Sequence, residues 1–252
     1  MTPAPLTLTP VGVGPAYARP GEAQSCYLVR AGGRAVCLDL GAGALNRLQA
    51  HVAPQDLELL VISHLHPDHC ADLLSLRVYM AWGPGSGRRL RVLAPEGTRE
   101  RMTSFAGEDG WDRAFAFEAF AGDRGALDLG GGLELRYREV PHLKPTYAVR
   151  LDLDGRSLVY GADCAECDEL AELARDADLL VAECSSGADP VPDGLAHLDA
   201  GQAAAIANRA GARRLLLTHC YPEHDRDAAL ARARSAAAMP VDWALQDVEV
   251  AA

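Results

Sequence analysis

The sequence predicts an α/β (α+β) protein in which two mixed sheets pack face to face with helices outside. Apolar, β-branched runs typical of strands alternate with helical stretches along most of the 252 residues. These elements come in two batches, which suits two sheets. Within the second batch, Asp154-Gly155 separates two strand runs, a strong hairpin signal.

The strand candidates are apolar runs bounded by turn-forming residues. They lie at 6–13, 26–29, 35–40, 57–63, 90–93, 133–140, 146–153, 157–160, 179–183 and 214–218. The helix candidates lie at 44–51, 71–82, 95–105, 168–175, 200–210 and 226–238. The least regular part is 83–132, rich in glycine with scattered aromatic residues, and we expect loops beside a pocket there.

Composition bounds the class of protein. A chain that is 49% hydrophobic can bury a sizeable core, so we expect one globular domain over residues 1–252. No stretch approaches the roughly 20 apolar residues that span a bilayer, and the first 14 residues lack the features of a secretion signal. Seven scattered cysteines, an odd number, favour a reducing cytoplasm. The net charge of −11 disfavours long nucleic acids and anionic membranes as partners.

The most informative segment follows an apolar run. His64, His66, Asp68 and His69 place four ligand-type side chains within six residues, and Pro67 favours a turn there. Neutral imidazoles and a carboxylate suit zinc, while iron and manganese are poorer guests for the same ligands. A polar surface loop with unrelated histidines is the alternative. Three of the eight histidines gathered beside an aspartate favour the metal site.

Three further ligand-type residues each follow a strand candidate. His142, Asp163 and His219 lie just past apolar runs, and the ends of such strands cluster at one rim. Each one alone could be an ordinary loop residue. Together with the histidine-rich segment, they indicate one metal-binding pocket.

The motif H-x-H-x-D-H, present as His64, His66, Asp68 and His69, resembles the signature of the metallo-β-lactamase superfamily. The resemblance covers nearly the whole chain and includes the acidic turn that begins at Asp39. In that family this turn supports the metal loop without binding metal. The resemblance implies the metallo-β-lactamase fold, a four-layer αββα sandwich with a dinuclear site at one edge.

Carried over residue by residue, the resemblance assigns ligands to two Zn²⁺ ions, with Mn²⁺ or Fe as alternatives. One ion would be held by His64, His66 and His142. The other would be held by Asp68, His69 and His219, and Asp163 would bridge the two ions. Related hydrolases are often dimers, so a homodimer is an expected assembly.

A finer resemblance is to the ribonuclease Z-like branch. That branch carries H-E-A-T after a strand, H-S-T before a helix and T-H at the end of a later strand. Here A-E-C-S contains Glu183, H-L-D begins at His197 and T-H ends at His219. Glu183 follows Asp163 by 20 residues and His219 follows His197 by 22, spacings similar to those of the branch.

The chain also departs from ribonuclease Z. That enzyme recognises tRNA with a long arm between its third histidine motif and the bridging aspartate. Here only 20 residues separate His142 from Asp163, and a tight hairpin takes them up. H-L-D replaces H-S-T, and T-H-C-Y-P-E-H replaces the usual segment around the last histidine. We therefore expect a small-molecule or short-chain ester substrate, and not tRNA 3′ processing.

The resemblance also implies a mechanism. Two cations about 3.5–4 Å apart share a bridging hydroxide and lower its pKa towards neutrality. Asp68 would orient this nucleophile, His197 would be the general acid, and Glu183 would hold the other ring nitrogen of His197. The alternative for His197 is a surface histidine beside a helix, since Asp199 is a candidate N-cap.

These features favour a dinuclear phosphodiesterase for small or short-chain substrates, such as a cyclic nucleotide. A carboxylic ester, lactone or thioester hydrolase is the alternative, because sister families use the same seven ligands. A non-catalytic binding protein on this scaffold would be expected to lose ligands, and none is missing here. Three residues are open cases, because each could contact substrate: Lys144, Tyr147 and His224. The alternative is a solvated side chain for Lys144, burial in a strand for Tyr147 and a surface position for His224.

Overall fold

The computed structural model describes residues 6–107 and 110–252. Within these residues, fourteen strands form two seven-stranded sheets, accompanied by seven α-helices and two short 3-10 turns. The assignment of 1–252 to one domain stays a prediction, and its residues 1–5 and 108–109 lie outside the described ones.

The first sheet contains six strands from the first half of the chain and one strand from its end. Its strands are β1 (Leu6–Gly12), β2 (Cys26–Ala31), β3 (Arg34–Leu38), β4 (Leu59–Val61), β5 (Leu90–Ala94), β6 (Phe115–Ala119) and β14 (Val250–Ala251). Their order is β14-β1-β2-β3-β4-β5-β6. The pairs from β14 to β3 are antiparallel and those from β3 to β6 are parallel.

The second sheet has the same plan. Its strands are β7 (Arg124–Asp128), β8 (Glu134–Val140), β9 (Thr146–Leu153), β10 (Arg156–Tyr160), β11 (Leu179–Glu183), β12 (Leu215–Thr218) and β13 (Val241–Trp243). Their order is β13-β12-β11-β10-β9-β8-β7, with three parallel pairs followed by three antiparallel ones. The β9–β10 hairpin turns at Asp154-Gly155, as predicted.

Helices cover both outer faces. They are α1 (Ala44–Leu48), α2 (Pro67–Cys70), α3 (Leu73–Trp82), α4 (Thr98–Ala106), α5 (Asp168–Leu173), α6 (Ala200–Ala210) and α7 (Arg226–Ala236). None of the described helices combines the length and the apolar character that a bilayer crossing requires.

The buried apolar residues form three clusters, which define four layers. One cluster lies between the sheets and takes Leu8 from the first and Leu151 from the second. A second joins the first sheet to α1, α3 and α4. The third joins the second sheet to α5, α6 and α7. Apolar side chains facing alternate ways along each strand supply both the inner and the outer clusters. The predicted four-layer αββα sandwich is therefore confirmed.

One local prediction needs correction. The stretch 83–132 is more regular than expected, since its described part contains β6 and β7 in addition to the predicted β5 and α4. The helix expected at 71–82 is present as α3, with Asp72 as its N-cap, and a short helix that was not predicted, α2, starts before it at Pro67. A proline at the first helical position needs no hydrogen-bonded N–H. Asp68 and His69 therefore lie on a helical turn.

Candidate metal centre

The candidate ligands lie where several strands end. In the second sheet β10, β11 and β12 are parallel, and β8 runs the same way, since β8 and β10 both pair antiparallel with β9. The loops that follow these strands therefore emerge at one rim. The segment after β4 reaches the same rim, because His66 lies against His142, which follows β8.

Three histidines and one aspartate form a first cluster. Nε2 of His64 and Nε2 of His142 each lie 3.1 Å from Nδ1 of His66. A carboxylate oxygen of Asp163 lies 3.9 Å from Nε2 of His64. The ligand-type atoms of these four residues all lie within 4.8 Å of one another. His66 and His142 are partly exposed, so the cluster is open to solvent on one side.

A second cluster shares Asp163. The Nε2 atoms of His69 and His219 lie 3.3 Å apart, and Nε2 of His219 lies 3.2 Å from a carboxylate oxygen of Asp68. Asp163 approaches both rings, at 3.3 Å from His69 and 3.6 Å from His219. The ligand-type atoms of these four buried residues also lie within 4.8 Å of one another. The structure thus brings all seven predicted ligands together, with Asp163 common to both groups.

A buried carboxylate in the first sheet orients two of these rings. Asp39 accepts hydrogen bonds from Nδ1 of His69 at 2.7 Å and from the hydroxyl of Ser63 at 2.8 Å. Because the Ser63 hydroxyl gives its proton to Asp39, its oxygen accepts from Nδ1 of His64 at 3.1 Å. Both rings therefore keep a proton on Nδ1 and direct Nε2, the nitrogen available to a metal, towards the cluster.

A second buried carboxylate repeats this arrangement in the second sheet. Glu183 accepts from Nδ1 of His197 at 2.8 Å and from the hydroxyl of Ser185 at 2.6 Å. The Ser185 oxygen then accepts from Nδ1 of His219 at 3.1 Å. Nδ1 of His142 is likewise occupied, because it donates to the carbonyl of Ala196 at 2.8 Å.

Two tyrosines connect the sheets behind the site. The Tyr160 hydroxyl, from the second sheet, donates to Asp39 in the first at 2.7 Å. The Tyr27 hydroxyl, from the first sheet, lies 2.6 Å from that of Thr218, which precedes His219. The two rings are buried and 4.8 Å apart. These bonds fix the separation of the sheets at the level of the ligands.

The backbone is strained at the same places. Asp39, Ala162 and His219 have φ values of 60°, 54° and 56°, in the left-handed region that residues with a Cβ seldom adopt. Gly41 is required by a close approach, since a Cβ there would lie 2.0 Å from the carbonyl oxygen of Asp68.

The electrostatics of the two clusters differ. Burial lowers the pKa of His64, His66 and His142, so these rings are neutral near pH 7 and able to bind a metal. Burial also disfavours the charged form of His69 and His219, but the Asp163 carboxylate outweighs it and raises both pKa values. A cation in the second cluster would therefore displace protons.

The carboxylates are ionised. Burial alone would raise the pKa of Asp163, but the charges of His219 and His69 hold it well below the usual range. The same competition between burial and the His219 hydrogen bond leaves the pKa of Asp68 lowered. Anionic oxygens and imidazole nitrogens directed at two adjacent points, Nδ1 from His66 and Nε2 from the other histidines, fit divalent ions.

His197 lies beside the ligands without belonging to either described cluster. Its Nδ1 is held by Glu183, and its side chain is 14% exposed where His69 is fully buried. Burial alone would lower the pKa of His197, but the Glu183 carboxylate has the larger effect and raises this pKa to about 9. Asp199 is also an N-cap, with a complete capping box on α6. The cap therefore anchors the segment that carries His197. A position of His197 beside a helix is thus compatible with a role as general acid.

The three open cases, Lys144, Tyr147 and His224, belong to neither of the described ligand clusters. Tyr147 is buried in the core between the sheets and stacks on Phe120 with ring centroids 3.9 Å apart. His224 hydrogen-bonds Asp189 at 3.1 Å. Lys144 is partly exposed, and its carbonyl accepts from Thr146 at 2.9 Å.

Sequence reasoning gave no role to several residues of the site. Ser63, Ser185, Tyr27 and Tyr160 complete the hydrogen-bond networks behind the ligands. Only Ser185 carried a usable signal, since it stands two residues after Glu183 within a segment that resembles a family motif.

A four-layer αββα sandwich with two ligand clusters at one rim defines a metallo-hydrolase of the metallo-β-lactamase type. Residues 35–220 match the family described as the beta-lactamase superfamily domain, and the chain belongs to that family. The chain is accordingly a hydrolase of this superfamily, and its histidine and aspartate clusters are suited to divalent metal.

Several relatives cover most of the chain. An uncharacterized protein of Mycobacterium tuberculosis is 34% identical over 239 residues, 91% of this chain and 86% of that protein. The probable metallo-hydrolase YhfI of Bacillus subtilis is 28% identical over 85% of this chain and 86% of its own. A crystal structure of YhfI superimposes with a TM-score of 0.89, at 26% identity over 98% of this chain and 100% of that one. Ribonuclease Z of Mycobacterium bovis is 29% identical over 86% of each chain.

Proposed function

We propose that the protein is a phosphodiesterase that hydrolyses small or short-chain phosphodiesters with two zinc ions, for which Mn²⁺ or Fe would be the substitutes. The observation that carries this proposal is the Glu183–His197 pair, which adds a proton donor to a full set of ligands. The relatives named metallo-hydrolase and ribonuclease Z support a hydrolase of this kind.

Seven residues would hold the ions, in the two clusters that share Asp163. When bound, the ions would supply an activated water as nucleophile and offset negative charge on the phosphate oxygens. The remaining contributions come from the side chains. Asp68 can accept a hydrogen bond from the attacking water and so orient it, because its second oxygen is not needed by His219.

The leaving oxygen needs a proton, and His197 is placed to give it. Its Nδ1–H is committed to Glu183, so the proton that can be transferred is the one on Nε2. Glu183 favours the doubly protonated ring that this role requires. Its own position is set by the Ser185 hydroxyl and by the N–H groups of Ser185 and Cys164.

The proposed substrate is small. The β9–β10 hairpin closes directly, with Leu153 paired to Arg156, so the chain between His142 and Asp163 has no protruding arm. The net charge of −11 opposes the approach of a long polyanion. Both features favour a short ester over tRNA.

The test is metal analysis of protein purified without added metal, combined with a panel of bis(4-nitrophenyl) phosphate, lactones and thioesters. The expected result is about two ions per chain and turnover of the phosphodiester, abolished by a chelator and restored by Zn²⁺. Turnover of lactones or thioesters without turnover of the phosphodiester would replace this proposal with a carboxylic ester hydrolase.

A further inference from the structure

Two tyrosine rings extend the surface of the site away from the ligands. Tyr221 stands two residues after His219, and the centroids of these two rings lie 6.5 Å apart. The Tyr17 ring lies against Tyr221, with centroids 4.7 Å apart at an angle of 43°. Tyr221 is half-buried, whereas Tyr17 is 56% exposed. We call this pair the aromatic ledge.

The aromatic ledge is held rigidly. The backbone N–H of His219 donates to the carbonyl of Val13 at 3.1 Å, which ties the two segments together at their base. The guanidinium of Arg19 then donates to four carbonyls of the facing loop at 2.8–3.3 Å. These are the carbonyls of Cys220, Tyr221, Pro222 and His224.

The outer ring is fixed as well. The Tyr17 hydroxyl donates to the Glu223 carboxylate at 2.7 Å. Tyr17 belongs to none of the three core clusters of the described chain, so its exposed face is not required for packing. An aromatic surface ordered in advance loses little conformational entropy when a ligand covers it.

The charges around the aromatic ledge restrict its ligand. The Glu223 carboxylate occupies the outer end, and the Arg19 guanidinium nearby is already bound to four loop carbonyls, so neither group offers a second phosphate a free partner. A planar, uncharged ring needs no such partner, and stacking on tyrosine tolerates any ring with a π face. The phosphate itself belongs at the metal clusters on the inner side.

We propose that the aromatic ledge of Tyr17 and Tyr221 stacks a planar, uncharged ring of the substrate. The substrate class is then a phosphodiester that carries a heterocyclic or aromatic group, such as a nucleoside, close to the reacting phosphate. The proposal rests on the proposed function only for the position of the phosphate.

Binding tests this inference without requiring turnover. Calorimetry would compare adenosine 5′-monophosphate with ribose 5-phosphate, which has the same phosphate and sugar but no base, on the zinc-loaded protein. We expect the base to tighten binding about tenfold. Tyr17→Ala should abolish this preference, and Tyr17→Phe should keep it because the ring remains. Trp82→Ala is the matched control, since Trp82 is 55% exposed and lies at the end of α3.

Equal affinity for the two ligands in the unmodified protein, or no binding of adenosine 5′-monophosphate, would overturn the inference. An equal loss of affinity for both ligands in Tyr17→Ala would also overturn it, because that result indicates a disturbed site. Failure of the proposed function is separate. Absence of phosphodiester turnover would refute the phosphodiesterase, while the binding comparison would still decide whether the aromatic ledge holds a ring.

Discussion

The two sheets contain the same arrangement of carboxylate, serine and histidines at the rim of the site. Asp39 in the first sheet and Glu183 in the second are both buried and each accepts four hydrogen bonds. In both, one serine donates its backbone N–H and its hydroxyl to the carboxylate. In both, that serine accepts from a histidine ligand, and the carboxylate holds a second histidine directly.

The arrangements differ in what the directly held histidine does. In the first sheet it is His69, which is fully buried and faces His219 and Asp163. In the second sheet it is His197, which is partly exposed and stands outside both described clusters. One local arrangement can therefore suit two purposes. Under the proposed function, the enclosed ring would be a metal ligand and the partly exposed ring would be the proton donor.

The largest effect is expected at Asp163, the residue that the two described clusters share. Asp163→Asn keeps the shape of the side chain but removes the negative charge shared by the two clusters. We expect activity to fall to background and metal content to fall below that of the unmodified protein. Mass spectrometry of the metals after gel filtration, together with the phosphodiester assay, would measure both. A variant with full metal content and full activity would show that the clusters do not act through Asp163.

His197→Ala tests the difference between the two held histidines. If His197 is a proton donor, kcat should fall about 10²- to 10⁴-fold for an alkyl leaving group and much less for 4-nitrophenolate, which leaves without a proton. Metal content should stay the same, because His197 is outside both described clusters. Loss of metal, or equal losses for the two leaving groups, would contradict the assignment.

Asp39→Asn and Glu183→Gln form a matched pair, since each removes one buried charge and retains the shape. Each substitution should lower metal affinity or activity about 10- to 100-fold. Asp39→Asn should act on metal affinity, because Asp39 holds two ligand rings. Glu183→Gln should act mainly on kcat, because Glu183 holds the proton donor.

The pH profile separates these two variants further. A general acid works while it is protonated, so activity should be present below the pKa of His197 and lost as the pH rises through it. Glu183 raises this pKa to about 9. Glu183→Gln removes the cause of the increase, so the alkaline limb should move to lower pH, whereas Asp39→Asn should leave it in place. If the alkaline limb of the pH profile does not move in Glu183→Gln, a group other than His197 determines that limb.

The sequence predicted the parts of this comparison that are contiguous or that follow long apolar runs. His64 to His69 form one short motif, and Asp163 and His219 each follow a strand of the core. Strands β6, β7, β13 and β14 were missed, and each of them is an edge strand of its sheet. Short edge strands carry a weak apolar pattern.

The orienting network could not be predicted for a different reason. Ser63 acts through proximity in space, and a lone serine carries no periodicity. Ser185 lies in a segment that resembles a family motif, but its contacts with two histidines depend on the fold. The bond from Tyr160 to Asp39 joins residues 121 positions apart, and its geometry depends on how the two sheets pack. The ligands and the two carboxylates Asp39 and Glu183 were visible in the sequence, whereas the serine and tyrosine hydroxyls that complete the network became visible only in the fold.

Ser63→Ala and Ser185→Ala should have the smallest effects and lower metal affinity or activity about tenfold or less. Each removes only the hydroxyl between a carboxylate and a histidine and leaves both of these side chains in place. They should nevertheless differ. Ser63 serves only His64, so its loss should weaken metal retention alone, measured by competition with a chelator. Ser185 lies 3.1 Å from Nδ1 of His219 and 3.3 Å from Nδ1 of His197, so its loss should lower both metal retention and kcat. Identical behaviour of the two variants would mean that the second sheet does not couple coordination to proton transfer through this hydroxyl.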